Sequence, residues 1–368
     1  MSTYSTTVSR LPVVNSCTVT RPRLVLVGGF LGAGKTTLLL AAAARLQTAG
    51  RRVAIITNDQ GGELVDTRFL RASGLKAGEV TGGCFCCRFS DFIRSAEQHL
   101  SFDPDVVFAE PVGSCTDLSA TILQPLKRFY GGSFLLAPLT VLVEPQRAAA
   151  LLAPDSDPHF SYLFRKQLAE ADLVLYSKAD RGADFPSIPG VTARPVSALT
   201  GDGVGEWLDE ILHDGATASV RLIEVDYARY AEAEAALGWL NWQADVRLAR
   251  PLTPAAVAGP LIERLDRALT DGGISIAHLK VFVQAGTGYL KAGVCANGEE
   301  PSVDGALDAP PASRHELVLN LRAGASPERL DSMAQDAFAA IPGQLRFLHR
   351  QSFRPSPPVP EHRFSEIV

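Results

Sequence analysis

Residues 23–37, RLVLVGGFLGAGKTT, decide the fold. The apolar run from Arg23 to Val27 reads as a buried parallel strand, and it ends in glycines. Lys35 to Thr48 follows with helix formers until Gly50 stops it. Between strand and helix, Gly29, Gly34, Lys35 and Thr36 occupy the fixed positions of G-x-x-x-x-G-K-[ST], with Gly32, Ala33 and Thr37 completing the loop. Glycines let successive backbone N–H groups turn inward around phosphate oxygens, and the helix N-terminus adds its positive dipole end. Lys35 is then expected to neutralise the β/γ charge, with the Thr36 hydroxyl on Mg²⁺.

Working outward, Val53–Thr57, Asp105–Ala109, Leu139–Val143, Leu173–Tyr176 and Thr192–Val196 read as further strands. Arg88–Leu100, Phe160–Ala171 and Val204–Leu212 read as helices between them. This alternation predicts an α/β fold: a P-loop NTPase domain over residues 23–215, its mostly parallel sheet covered by helices on both faces. From residue 240 the pattern changes. Ala244–Leu248, Ala277–Gln284, Tyr289–Ala296, Glu316–Leu321 and Leu345–Phe353 read as strands, Pro254–Thr270 and Pro327–Ala340 as helices, and 297–313 as a loop. A smaller α+β domain over 240–354 is the expectation. Residues 1–22 read as a flexible arm without the apolar block of a secretory signal. The Pro-rich tail 355–368 is expected to lie across the surface.

The chain has 368 residues, 46% hydrophobic, with a net charge of −5. That balance argues against nucleic acid or an anionic membrane as partner, and no apolar run is long enough to span a bilayer. Six cysteines are present, three of them within Cys84-Phe85-Cys86-Cys87. A disulfide scaffold spreads its cysteines, so a thiolate site in a reducing, cytoplasmic setting fits better.

The rest of a nucleotide site is expected at the carboxyl ends of the strands. Asn58-Asp59 ends the second and Glu110 the third; Asp59 and Glu110 are candidate Mg²⁺ ligands beside Thr36, and Glu110 can also orient the attacking water. Ser177-Lys178-Ala179-Asp180 follows the fifth strand in the manner of a guanine reader, with Asp180 accepting from the base, and Ser197-Ala198 backs it after the sixth. Cys84, Cys86 and Cys87 repel one another as thiolates, and a bound cation relieves that repulsion. Zinc prefers four ligands, which leaves one place open. Cys115, two residues past Gly113, and Glu63 are candidate additions, with Asp66 and Asp59 as further oxygen donors.

The loop Gly29–Thr37, the Cys84-x-Cys86-Cys87 triplet and Glu110-x-x-Gly113 together resemble the CobW-type metal-trafficking GTPases, relatives of the nickel-insertion GTPases for urease and hydrogenase. The resemblance covers roughly residues 22–215. It implies GTP and Mg²⁺ as cofactors, a zinc, cobalt or iron ion at the triplet, and a C-terminal domain that helps choose a client metalloprotein. A homodimer stays open. Three departures stand out: the family's usual Asn-Glu-Phe-Gly-Glu is Asn58-Asp59-Gln60-Gly61-Gly62 here, Ser177 replaces an expected Asn, and the His-rich stretch of many members is missing. The expected function is a GTP-dependent metallochaperone. The alternative is a regulatory nucleotide switch whose cysteines are structural or redox-active.

Overall fold

The computed structural model describes residues 21–368 apart from 63, 64, 183, 217 and 219. Most of the expected N-terminal arm, Cys17 and the candidate ligand Glu63 therefore lie outside the described residues.

The first sheet is eight-stranded: β1 (Arg23–Gly29), β2 (Val53–Asn58), β3 (Lys76–Val80), β4 (Val106–Glu110), β5 (Leu135–Leu136), β6 (Thr140–Val143), β7 (Leu173–Tyr176) and β8 (Ala193–Pro195). Its order is β3-β2-β4-β1-β6-β7-β8, with β5 paired to β1, and every pairing is parallel. Central strands buried along their whole length explain the unbroken apolar runs of β1, β2 and β4.

Helices cover both faces. Leu38, Leu39, Ala42 and Leu46 of α1 (Lys35–Thr48) share one core with Trp207, Leu208 and Ile211 of the later helix Val204–Leu212. The other face is covered by α3 (Phe89–Leu100), a π-turn at Ser119–Leu123 running into α4 (Gln124–Tyr130), α5 (Pro145–Leu152) and α6 (Pro158–Glu170), whereas α2 (Val65–Ala72) puts Leu70 into the α1 core and Val65 and Phe69 against the second sheet. Asp157 caps α6 through the N–H groups of His159 and Phe160. The helix Val204–Leu212 is α7, and α8 (Tyr227–Ala235) packs Tyr230 and Ala233 into the α3/α6 core.

The second sheet is antiparallel, in the order β12-β11-β10-β13-β9-β14. Its strands are β9 (Gly238–Leu252), β10 (Ile276–Ala285), β11 (Gly288–Val294), β12 (Ser302–Gly305), β13 (Ala312–Ala323) and β14 (Gln344–Phe353). One face packs on α9 (Pro254–Asp271) and α10 (Pro327–Ala339) through Leu240, Trp242, Val281, Leu319 and Leu321. The alternate residues point the other way, at the nucleotide domain, and many are polar: Asn241, Lys280, Lys291, Asn320 and Arg322. Phe282 and Val318 meet Val65 and Phe69 in an apolar interface cluster with Tyr289 packed against it, and Trp239 enters the core of the first domain. The segment 355–368 runs past α3 and the π-turn, with Glu361 N–H on the Cys86 carbonyl, the Glu361 carboxylate on Ser90, and Phe364 N–H on the Ala120 carbonyl.

Two readings change. The stretch 297–313 carries β12 rather than forming only a loop, and β9 is far longer than Ala244–Leu248. β12 gains its hydrogen bonds from the neighbouring β11, and β9 from the distant β13 and β14.

Candidate functional site

The phosphate loop follows from backbone constraints. Gly29, Gly32 and Gly34 have φ of 135°, 82° and 86°, a region where side chains are strained. Lys35 Nζ lies 2.9 Å from the Gly29 carbonyl, and Thr36 Oγ1 donates to Glu110 at 2.9 Å. Burial depresses the Lys35 ammonium and raises the Glu110 carboxyl. Gly113 is required because a Cβ there would stand 3.0 Å from Leu31 N, so the loop after β4 runs directly against the phosphate loop.

These residues open on a cavity of 290 Å³ lined by Gly32, Gly34, Lys35, Thr36, Thr37 and Glu110 at one end. Ser177, Lys178, Asp180, Val196, Ala198 and Leu199 line the other. Ser197 Oγ donates to Asp180 Oδ1 at 2.5 Å, holding the carboxylate. Lys178 sits at φ 55°, a left-handed conformation rare for a non-glycine residue and a mark of a constrained site.

Asp59 is a correction. Its carboxylate does not line the cavity; Arg322 of β13 takes both its oxygens at 2.8 Å. The turn after β2 points Asp59 at the second sheet instead. The carboxylate at the Thr36 hydroxyl, besides Glu110, is Asp66 at the start of α2. Burial works against its charge, but Lys280 and Lys291 hold it down at about 2.

The thiols form the second centre. Cys84, Cys86 and Cys87 offer three sulfurs within 4.8 Å of one another, the one such ligand group among the described residues. Cys115 lies outside that group, buried against Cys84. The Cys84 thiol is held well below its ordinary value by the Cys115, Cys86 and Cys87 thiols converging on it. The same contact with Cys84 pushes Cys115 and Cys86 up and takes Cys87 to about 12. One favoured thiolate among neutral thiols is the state expected when no cation shares the charge. Val359 N–H donates to Cys87 Sγ at 3.2 Å, so the 355–368 segment covers this site.

Asn58, at the end of β2, holds the loop that leads into the thiols. Its Nδ2 donates to the Val80 and Gly83 carbonyls at 2.9 and 2.8 Å, and its Oδ1 accepts the Phe85 N–H at 2.8 Å. Glu234 of α8 adds a second link, accepting from Ser114 at 2.6 Å and Gln60 at 3.1 Å. Burial raises its carboxyl to about 8. Sequence reading missed Glu234, Lys280, Lys291 and Arg322. The signal available for the last three was the polar residues alternating with apolar ones in strands whose other face is core.

A strand, a glycine-rich loop and a helix N-terminus at the carboxyl edge of a parallel sheet define a P-loop nucleotide-binding domain. Residues 23–187 match the family model described as CobW/HypB/UreG, nucleotide-binding domain. The zinc chaperone CobW of Pseudomonas aeruginosa is 29% identical over 193 residues, covering 45% of this chain and 50% of that protein. The zinc chaperone YeiR of Escherichia coli is 28% identical over 173 residues, covering 43% and 47%. The chain spans about half the length of these curated relatives. Among solved structures, Zn(II)-bound YjiA GTPase from E. coli aligns over 88% of this chain and 99% of that one, at 14% identity and a TM-score of 0.32. HypB from Helicobacter pylori in complex with nickel aligns over 50% and 82%, at 17% identity and a TM-score of 0.37.

Proposed function

We propose that the chain is a GTP-hydrolysing metallochaperone that carries zinc, or a similar thiophilic ion such as cobalt or iron, for a client metalloprotein. The observation that carries this reading is Asn58, which ties the end of β2 to the loop carrying Cys84, Cys86 and Cys87 by two hydrogen bonds, to the Gly83 carbonyl and from the Phe85 N–H. The zinc chaperone relatives support the choice of cargo. Three thiols suit a borderline-soft ion and leave a ligand place for Cys115 or a client side chain.

GTP is the nucleotide this reading assigns to the cavity. Asp180 accepts from the guanine edge, Lys178 and Ser197 frame it, and the loop from Gly29 to Thr37 holds the phosphates. Thr36, Glu110 and Asp66 would hold Mg²⁺; the donor set fits, since Asp66 Oδ1 is buried without a hydrogen-bond partner and all three offer oxygen. When bound, the ion neutralises phosphate charge. Glu110, buried and at the end of β4, is the residue placed to orient water at the terminal phosphate.

The test is metal affinity of the reduced protein with a non-hydrolysable GTP analogue, with GDP and without nucleotide. Affinities should differ by about 5–150-fold between nucleotide states, and by linkage the metal should change nucleotide affinity by the same factor. Cys115→Ser should shrink that factor if Cys115 joins the site in one state. Equal affinities in all states would leave a metal protein without the chaperone coupling, and absence of stoichiometric metal would favour a nucleotide switch.

A further inference from the structure

The second sheet places two ammonium groups in the phosphate cavity. Lys280 of β10 and Lys291 of β11 lie on the face turned toward the nucleotide domain and line the same cavity as Lys35, Thr36 and Glu110. Their side chains are 21% and 9% exposed. Lys280 Nζ stands 2.6 Å and Lys291 Nζ 3.8 Å from the Asp66 carboxylate, and Lys291 also reaches Asp304 at 3.5 Å. Asp66 in turn contacts the Thr36 hydroxyl. The other end of the cavity is closed from the same domain. Glu299, in the loop after β11, accepts from Arg181 at 2.5 Å and lies 3.9 Å from Lys178. Cys295 packs so closely on the phosphate loop that a Cβ at Gly32 would meet its Sγ at 2.7 Å. The nucleotide cavity is thus shared between the two domains rather than belonging to the first alone.

We propose that Lys280 and Lys291 are the cations that meet the terminal phosphate of the bound triphosphate, so that turnover requires the second sheet to be docked on the phosphate loop. The proposal rests on the GTPase reading and deepens it. In hydrolysis, a water oxygen bonds to the γ-phosphorus while the bond from that phosphorus to the β–γ bridging oxygen breaks. The electron pair stays on the diphosphate and the water's proton goes to the released phosphate. The lysines stay protonated throughout and offset negative charge on the γ and bridging oxygens. Sheltered ammonium groups on rigid strands do this with little reorganisation. A triphosphate competes with Asp66 for them; a diphosphate lacks the group they meet. Loss of the γ-phosphate then returns the lysines to Asp66, the pairing this structure shows.

A purely structural role as partners of Asp66 predicts something different: lower stability, with no discrimination between nucleotides. The experiment uses the full chain with Lys280→Gln and Lys291→Gln, which keep a hydrogen-bond donor toward Asp66. Each change should lower kcat by about tenfold to a hundredfold. Each should weaken a non-hydrolysable GTP analogue by about tenfold or more while GDP affinity changes by less than about threefold. Lys280→Arg should recover part of the loss. Wild-type protein supplies a readout independent of folding: acylation of Lys280 and Lys291, followed by mass spectrometry, should be slowed more by the analogue than by GDP. If wild-type protein binds and hydrolyses GTP, yet the variants lose analogue and GDP affinity equally or keep wild-type kcat, this inference is overturned alone. Equal acylation with analogue and GDP overturns it as well. Wild-type protein that binds no guanine nucleotide overturns the GTPase reading and this inference together.

Discussion

Arg322→Met cuts a buried ion pair that joins the two domains. Arg322 is fully buried, and its guanidinium grips Asp59 through two bonds of 2.8 Å. It also donates to the Leu240 and Leu321 carbonyls at 3.0 and 2.9 Å and stacks 4.1 Å from the Trp239 ring. Methionine keeps the apolar stem on the indole but leaves Asp59 without its partner. Breaking a buried ion pair from one side costs about 3–5 kcal/mol, because the remaining charge is stranded. The Asp59 side chain retains 13% exposure, so water relieves part of that cost, and the lower end, about 3 kcal/mol, is expected. Asp59→Asn keeps an acceptor for the Gly61 N–H, now 2.9 Å from Oδ1, and should cost less. The double variant strands no charge, so a double-mutant cycle should return a coupling of about 2–3 kcal/mol. Denaturant unfolding followed by tryptophan fluorescence and by circular dichroism supplies the free energies, provided the two probes coincide. A cost for Arg322→Met below about 1 kcal/mol, or a coupling within about 0.5 kcal/mol of zero, would refute the argument.

Glu170 is buried, and burial raises its carboxyl to about 8 from an ordinary 4.5. The folded state therefore holds a proton that the unfolded chain releases above pH 4.5, and stability falls as pH rises from there toward 8, by about 1.4 kcal/mol per unit. Glu170→Gln can still accept from Ser119 N–H and pair with Thr116. Its stability should gain on wild type across that window, and parallel melting curves from pH 5 to 8 would count against the raised value. Asp180→Asn should lower GTP affinity and improve xanthosine triphosphate; wild-type protein that takes ATP as tightly as GTP would remove Asp180 from base reading. Val359→Pro, between Pro358 and Pro360, deletes the N–H that donates to Cys87 Sγ. Zinc affinity in a chelator competition should drop by about 2–10-fold, the worth of one hydrogen bond, and an unchanged affinity would show that this bond does not support the thiolate.

The first domain was legible because its decisive features are local. A phosphate loop needs glycines at fixed spacing, and Gly29, Gly32 and Gly34 have positive φ, which is why the sequence carries them. The Cys84–Cys87 cluster was equally local. Asp59 was misplaced because a strand-end carboxylate has two directions open to it, and only the partner decides. That partner, Arg322, is 263 residues away, and Asp66 and Lys280 are separated by 214. No periodicity or motif in one sequence reports such pairs. The helix α2 and strand β3 were missed for a related reason. Their residues, 65–80, include Gly74 and Gly78 and charged side chains, and the elements are held by contacts with β10, β2 and α3.

The segment from Asn58 to Gly62 carries the first of the three departures from the family pattern, and the structure separates its positions. Gly61 is forced: an added Cβ would stand 2.1 Å from Asn241 Nδ2, and Asn241 also donates to the Gly62 carbonyl at 2.9 Å. At Gly62 the nearest atom would be His349 Nε2 at 3.9 Å, an ordinary contact, so crowding does not explain the absence of a glutamate there. The described contacts instead show how the segment from Asn58 to Asp66 is held. Arg322 takes Asp59, Asn241 takes the Gly62 carbonyl, Asn320 accepts the Val65 N–H at 2.9 Å and Lys280 takes Asp66. Every one of these partners lies on the second sheet, while Asn58 at the near end holds the thiolate loop. A shift of that sheet against the phosphate loop cannot leave this segment in place, because four of its anchors move together. If the γ-phosphate changes how the sheet docks, the thiol site is therefore affected through Asn58 without any direct contact between nucleotide and metal.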